Sequence, residues 1–229
     1  MAKKTSTADL MLKWKRKKWF PVKCSEVFGE QVVGEILGEE VQNTIGKVID
    51  LNLMSLTNDP RKQIYNVVFK VVRNEGNTAI AQVVGIRMLN AMVKKMVRKR
   101  KSKIDDSFII KTADGKYVIF KLLIITQNLV SNSVATKLRK QARYLMTKYA
   151  ETHNYVELVN EVLNEKIAND LKQKANKLSA INTYKVRMFK LIEMPTNRQI
   201  LLHSKFVEEV KNYNLEELKL SEVSKENTQ

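Results

Sequence analysis

One dipeptide, Asp114-Gly115, constrains the fold of this chain more than any other feature. It lies between two runs of alternating apolar residues, 107–112 and 116–125. Glycine accepts the positive φ of a tight turn, so an Asp-Gly pair between two such runs is a strong signal for a β-hairpin. The sequence therefore predicts an antiparallel pair of strands in the middle of the chain.

Further runs predict a larger sheet around that hairpin. Partial alternation over 47–53 places Ile49, Leu51 and Leu53 on one face of a strand. Residues 64–73 and 78–87 are rich in strand-favouring types, and the segment 74–77 between them predicts a second hairpin.

A strand is also predicted late in the chain, at 183–192. Alternation there would place Tyr184, Val186, Met188 and Lys190 on one face. Because a late strand can pair with the earlier ones, we expect one domain rather than two. The segment 34–38, with glycine at both ends, is expected to be a loop.

Helical periodicity occupies much of the rest of the chain. Apolar residues recur at steps of three and four over 88–98, over 133–150 after the candidate N-cap Ser133, and over 155–177. Residues from 203 onward predict one or two short helices and an acidic, frayed end. Strands and helices together predict an α+β fold.

The residue types needed for catalysis or metal binding are scattered. His153 and His203 have no second ligand at metal-binding spacing, Cys24 is the only cysteine, and no glycines form a phosphate loop. Asp105-Asp106 could hold a magnesium ion near RNA, but a strand start or a local charge pair is the favoured interpretation. We therefore predict no enzyme, no metal site and no cofactor.

Cysteine content and the lengths of the apolar runs indicate the cellular compartment. A single cysteine excludes a disulfide within the chain, which favours a reducing, intracellular setting. No run approaches the roughly 20 apolar residues of a membrane-spanning helix, and no apolar run near the N-terminus is long enough for a signal peptide. With 229 residues, 44% of them hydrophobic, the chain can bury a substantial core.

Positive charge is the strongest functional signal. The 41 Lys and Arg residues outnumber the 24 Asp and Glu residues, which gives a formal net charge of +17. Such an excess indicates nucleic acid, an anionic membrane surface or an acidic protein as the partner. A basic protein that is merely soluble is the alternative, but the charge is clustered rather than dispersed.

The densest cluster lies in the run 97–104, which contains no acidic residue. Its cations are Arg98, Lys99, Arg100, Lys101 and Lys103. One or two cations would complement the dipole of the helix predicted before them. Five within the six positions 98–103 exceed that need. We therefore predict that this run contacts phosphates of a nucleic acid.

A second cluster lies in a predicted N-terminal tail, residues 1–20. Its candidate RNA contacts are Lys15, Arg16, Lys17 and Lys18. Cations can meet phosphates there, and the rings of Trp14 and Trp19 could stack on bases. For Trp19 and Phe20 we favour a different role, an anchor that packs the tail on the core. A third group of candidates, Arg139, Lys140 and Arg143, lies off the apolar stripe of the helix predicted from 133.

Four segments of the chain resemble one known family. They are WFPVK at 19–23, GKVIDLNLMSLTND at 46–59, VRKRKSKIDD at 97–106 and KTADGKYVIFKLLIIT at 111–126. Their order and spacing are similar to those of a small-subunit ribosomal protein of archaea and eukaryotes, called protein three-A in eukaryotes. The resemblance runs from about residue 18 to 195.

The resemblance implies a β-barrel-like mixed sheet with flanking helices and no catalysis. It implies a cytoplasmic ribonucleoprotein of translation, located on the platform of the small ribosomal subunit beside the 3′ end of its rRNA and near the mRNA exit. Small-subunit rRNA and neighbouring platform proteins are the implied partners, and mRNA is a further candidate. Many family members carry basic residues after the threonine that matches Thr126. Gln127-Asn128 stand here instead, so no phosphate contact is predicted there.

These expectations divide the chain into three parts. We predict a basic tail at 1–20, a single α+β rRNA-binding domain at 21–200, and a helical, partly frayed end at 201–229. The predicted function is that of a structural rRNA-binding constituent of the small subunit, supporting its assembly and translation. An RNA- or DNA-binding regulator that does not reside on ribosomes is the alternative.

Overall fold

A computed structural model describes residues 17–24 and 27–210. In this part of the chain it contains strands β1 (Lys18–Cys24), β2 (Val32–Gly38), β3 (Val48–Asn52), β4 (Tyr65–Glu75), β5 (Thr78–Met88), β6 (Lys103–Lys111), β7 (Tyr117–Thr126) and β8 (Ile181–Ile192). The helices are α1 (Leu53–Thr57), α2 (Asn90–Met96), α3 (Asn132–Thr152), α4 (Tyr155–Leu163), α5 (Lys166–Ala175) and α6, which covers 197–210. The predicted α+β class is confirmed. The chain divides into two compact units between Ile86 and Arg87, inside β5.

The first unit is built on a mixed sheet in the order β3-β4-β5-β1-β2. β1 runs parallel to β5 and antiparallel to β2, and β3 runs antiparallel to β4. β2 and β3 are the two edges, so the described strands of this unit do not close a barrel. Its core consists of inward residues that are almost fully buried, among them Phe20, Val22, Val67, Phe69, Val71 and Ala79.

Two expectations for this unit are wrong. The segment 34–38 is part of β2 and not a loop. Gly38 serves close packing, because a Cβ atom there would lie 3.0 Å from Cγ2 of Thr44 and 3.1 Å from the carbonyl oxygen of Glu40. Leu53 does not continue the face of β3. It begins α1, where its side chain is fully buried.

The predicted anchor formed by Trp19 and Phe20 is half right. Both residues belong to β1, whose successive side chains point to opposite faces of the sheet. Phe20 is buried, with 5% of its surface exposed, whereas Trp19 is 64% exposed. Of these two residues, Phe20 therefore packs on the core and Trp19 does not.

The second unit contains the antiparallel strands β6, β7 and β8, with β7 in the middle. The hairpin predicted at Asp114-Gly115 joins β6 to β7, and Gly115 has the positive φ of 76° that the turn requires. Phe120 is fully buried at the centre of this sheet, where its ring packs edge-on against Phe189 at 4.9 Å. The late strand pairs with β7, as expected.

The alternation predicted along β8 breaks at a bulge. Lys121 of β7 pairs with Met188, and the next residue of β7, Leu122, pairs with Val186, so that Arg187 is the extra residue. A bulge exchanges the two faces of the strand beyond it. Val186 is therefore buried together with Phe189 and not with Met188.

The helices of this unit also differ in detail from the periodic pattern. α3 has Ser131 as its N-cap, two residues before the predicted Ser133. The helix predicted over 155–177 is interrupted between α4 and α5, where Glu165 adopts a left-handed conformation with φ 55°. α6 packs on the sheet through Phe206, whose ring stacks on that of Phe108 at 5.2 Å. No helix among residues 17–24 and 27–210 is long and apolar enough to cross a membrane.

Candidate nucleic-acid interface

The run of cations predicted to bind phosphate forms the connection between α2 and β6. We call residues 97–103 the basic loop. Arg98, Lys99 and Arg100 are exposed in it, Lys101 is half-buried, and Lys103 is the first residue of β6. Within the described part of the chain, no hydrogen bond or ion pair engages the side chains of the first four cations. Their charge is therefore available to an external anion.

Both ends of the basic loop are attached to the core. At its start, the Val97 backbone N–H donates a hydrogen bond to the carbonyl oxygen of Val93 at 3.2 Å, and Val93 itself is buried. At its end, Ile104 is buried and pairs with Ile124 of β7. Both ends of the loop are therefore ordered before a ligand binds, and the loop cations lie between them.

Hydrogen bonds around Ser102 strengthen the attachment at the C-terminal end of the basic loop. The fully buried hydroxyl of Thr126 accepts a hydrogen bond from the Ser102 backbone N–H at 3.1 Å and donates one to the carbonyl oxygen of Asn128 at 2.6 Å. The Ser102 hydroxyl in turn accepts a hydrogen bond from the Val130 backbone N–H at 3.1 Å. The segment that leads into α3 is thereby fastened to the basic loop.

The tip of the basic loop is conformationally strained. Arg100 has φ 59°, in the left-handed region that costs a residue with a Cβ atom roughly 1–2 kcal/mol. Such strain persists where the surrounding structure imposes it, and it is concentrated at functional sites. The attachments on both sides of the tip, at Val97 and Ser102, provide that constraint.

Lys103 is less available than the cations before it. Its ammonium group lies 2.6 Å from a carboxylate oxygen of Asp105, which also lies 3.4 Å from the guanidinium of Arg187. The interpretation of Asp105-Asp106 as local charge pairs on a strand is confirmed. Residues 17–24 and 27–210 contain no group of three histidine, cysteine or acidic side chains that could hold a metal ion.

Arg143 is held by two carboxylates. Its guanidinium makes a two-pronged contact with Asp106, at 2.7 Å and 2.8 Å, and its third nitrogen lies 2.5 Å from Glu209 on α6. It also lies over the ring of Phe206, at 5.9 Å. The hydrogen bonds that Arg143 donates to Asp106 raise the pKa of Arg143 above its usual range, although burial acts in the opposite direction. This cation is engaged inside the protein, so its charge is less available to an external phosphate than that of Arg98, and its contact with RNA stays a prediction.

The other predicted contacts are placed as follows. Arg139 is half-buried and Lys140 is exposed on α3, the helix whose entrance is fastened to Ser102. In the first unit, Lys17 is exposed directly before β1, and Lys18 is exposed as the first residue of β1. Lys15 and Arg16 lie outside the described residues.

Two cations that sequence reasoning left out belong beside the basic loop. Lys94 and Lys95 are exposed in the last turn of α2, directly before the loop. The signal was present in the sequence, because both residues fall off the apolar stripe that contains Val93 and Met96. We add them to the candidate interface as flanking charges.

Comparison with known proteins identifies the family. The model of the ribosomal S3Ae family matches residues 3–195, most of the chain. The chain belongs to this family. Its members are structural proteins of the ribosome and not enzymes, which confirms the resemblance seen in the four sequence segments and the prediction of no enzymatic activity. The matched region includes the basic loop and ends before α6.

The relatives agree with this assignment over nearly their whole length. Small ribosomal subunit protein eS1 of Nanoarchaeum equitans is 31% identical over 189 residues, which are 82% of this chain and 94% of the relative. The proteins of the same name from Saccharolobus islandicus and Saccharolobus solfataricus are 29% identical over 185 residues, which are 81% of this chain and 89% of each relative.

Proposed function

We propose that this protein is a structural constituent of the small ribosomal subunit and that its principal partner is rRNA. One observation carries the RNA-binding part of the proposal. The basic loop presents Arg98, Lys99 and Arg100 to solvent without any carboxylate partner among the described residues, and it is attached to the core at both ends. The family and the names of its relatives support the subunit.

The mechanism is electrostatic positioning. Each cation that reaches a phosphate releases condensed counterions from the RNA, and the released ions supply binding free energy that depends on salt. Phosphate contacts of this kind fix the orientation of the protein on the RNA rather than read its sequence. An ordered loop loses less conformational entropy on binding than a disordered one, so its cations hold RNA segments in place at a lower cost.

The finer location follows from the resemblance. We place the protein on the platform of the small subunit, beside the 3′ end of the rRNA and near the mRNA exit, in contact with neighbouring platform proteins. Its role there is to support subunit assembly and translation in the cytoplasm. The division into a tail at 1–20, an rRNA-binding part at 21–200 and an end at 201–229 belongs to the same proposal.

Sedimentation tests the assignment to the subunit. The tagged full-length protein, expressed in archaeal cells, is expected to co-sediment with small subunits through a sucrose gradient at moderate salt. The variant Arg98→Ala, Lys99→Ala, Arg100→Ala is expected to shift toward the top of the gradient. A control variant removes three exposed lysines elsewhere in the second unit, Lys166, Lys174 and Lys177, and should stay with the subunits. A wild-type protein found only at the top would instead indicate a regulator that does not reside on ribosomes.

Directed cleavage tests the location. Cys24 is buried, with 1% of its surface exposed, so Lys99→Cys provides an accessible thiol at the basic loop to which an iron chelate can be attached. Hydroxyl radicals generated there are expected to cleave rRNA near its 3′ end in reconstituted subunits. Cleavage confined to other regions would contradict the platform placement, and the unmodified wild-type protein controls for background.

A further inference from the structure

Trp19 is a large apolar side chain that the fold leaves in water. It is 64% exposed, while its neighbours Phe20 and Val22 point to the opposite face of β1 and are almost fully buried. The side chain therefore does not contribute to the core of the first unit. A single exposed apolar residue needs no explanation by itself, so what surrounds Trp19 decides whether it has a function.

The surroundings combine apolar surface with positive charge. In the pairing of β1 with β2, Trp19 lies opposite Leu37, and Pro21 lies opposite Glu35 on the same face. Leu37 and Pro21 are half-buried, which extends the apolar surface beside the ring. Glu35 is the exposed acid of this face.

Two cations border this surface. Lys23 is exposed near the end of β1 on the same face as Trp19 and Pro21, whereas Lys18 belongs to the face of Phe20. The ammonium group of Lys47 donates a hydrogen bond to the carbonyl oxygen of Leu37 at 2.5 Å, which brings a second positive charge to the edge strand.

We infer that Trp19 stacks on an unpaired RNA base, with Lys23 binding an adjacent phosphate. An aromatic ring on a strand, flanked by cations, is the common means by which small β-sheet domains bind single strands, because every base has a flat π-face and every linkage carries a negative charge. The charge distribution favours this occupant over a protein surface. The inference rests on the proposed RNA-binding function, but it concerns a different surface, in the first unit rather than the second.

Fluorescence gives a direct readout of stacking. The chain has two tryptophans, so Trp14→Phe leaves Trp19 as the only one. Titration of this variant with an oligouridine of about ten nucleotides, within the usual site size of a small single-strand-binding domain, is expected to quench the Trp19 emission to saturation. A blunt RNA duplex should bind through charge and leave the emission nearly unchanged, because its bases are already stacked.

Substitution at Trp19 measures what stacking contributes. Trp19→Leu keeps an apolar side chain on the sheet and removes the ring, and the exposure of Trp19 means that the core is untouched. The Kd for oligouridine, measured by fluorescence anisotropy of the labelled RNA, is expected to rise about 5- to 140-fold. This range is the roughly 1–3 kcal/mol of one stacked base, converted at about 1.4 kcal/mol per tenfold. Trp19→Tyr should restore most of the affinity.

The outcomes separate this inference from the proposed function. The variant Arg98→Ala, Lys99→Ala, Arg100→Ala should bind the duplex more weakly but retain the quenching of Trp19. If the wild-type protein binds neither RNA, the proposed function fails. If it binds both while Trp19 emission and the Kd of Trp19→Leu stay unchanged, RNA binding stands and the stacking inference is overturned. Trp19 would then be assigned to contact with another protein.

Discussion

The charge of the basic loop can be measured through the salt dependence of RNA binding. Each phosphate contact adds about 0.9 to the negative slope of log Kobs against log salt concentration for a B-form duplex and about 0.7 for a single strand. Arg98, Lys99 and Arg100 are exposed and have no carboxylate partner among the described residues. Arg98→Ala or Arg100→Ala should therefore reduce the slope by about one unit each, and the triple alanine variant by about two to three.

The neighbouring Lys103 provides an internal comparison. It is paired with Asp105 at 2.6 Å and is already neutralised within the protein, so Lys103→Ala should lower the slope by less than Arg98→Ala does. The assay is anisotropy titration of a labelled small-subunit rRNA fragment at several salt concentrations. The control variant without Lys166, Lys174 and Lys177 carries the same change in net charge and should keep the wild-type slope.

Two results would refute this reasoning. The first is an unchanged slope in both Arg98→Ala and Arg100→Ala. The second is an equal fall in the control variant, which would mean that only net charge matters. Arg100→Gly separates charge from conformation, because glycine adopts the left-handed φ of 59° without strain. It should give the same slope as Arg100→Ala, and a clear difference would show that loop shape and not charge is being measured.

Two further predictions concern stability. Arg143→Met leaves the carboxylate of Asp106, which is only 7% exposed, without its partner and should lower the free energy of unfolding by about 3 kcal/mol. Glu209→Gln changes a carboxylate that is 63% exposed and should lower it by less than about 1 kcal/mol. Similar losses for the two variants in urea denaturation would contradict this prediction. Burial raises the pKa of Tyr184, whose hydroxyl has no hydrogen-bond partner among the described groups. Above the unfolded pKa of about 10, this hydroxyl ionises in the unfolded chain but stays neutral in the folded protein, so the free energy of unfolding falls as the pH rises above that value. Tyr184→Phe should therefore unfold no more easily at pH 7 and should lose stability less steeply above pH 10 in the same assay, and a steeper loss would contradict the prediction.

Local patterns along the chain predicted most elements of this fold. Asp114-Gly115 predicted its hairpin because the connection from Lys111 to Tyr117 is short and depends on the positive φ of Gly115 and on the strands beside it. The strands and helices were recognisable because periods of 2 and 3.6 residues are properties of consecutive side chains. The basic loop was equally visible, since a cluster of charge needs no fold to be counted.

The errors arose where a remote contact decides the outcome. The bulge at Arg187 depends on its pairing with β7, about 65 residues earlier in the chain, and it changed which side chains of β8 are buried. The segment 34–38 is a strand because it pairs with β1, where Gly38 lies opposite Lys18, about 20 residues earlier in the chain. The direction of Trp19 and Phe20 followed from the register of β1, which could not be read from two adjacent aromatic residues.

The sequence by itself therefore determined the α+β class, the family and the presence of an excess positive charge. Only the tertiary structure decided which of those charges are available. Arg143 and Arg98 are both arginines next to other basic residues in the sequence. In the structure, Arg143 is neutralised by Asp106 and Glu209, which lie 37 and 66 residues away along the chain. Arg98 is exposed in the basic loop. The physical reason is that electrostatic interaction depends on distance in space, and the fold alone brings the neutralising carboxylates to one arginine and keeps them from the other.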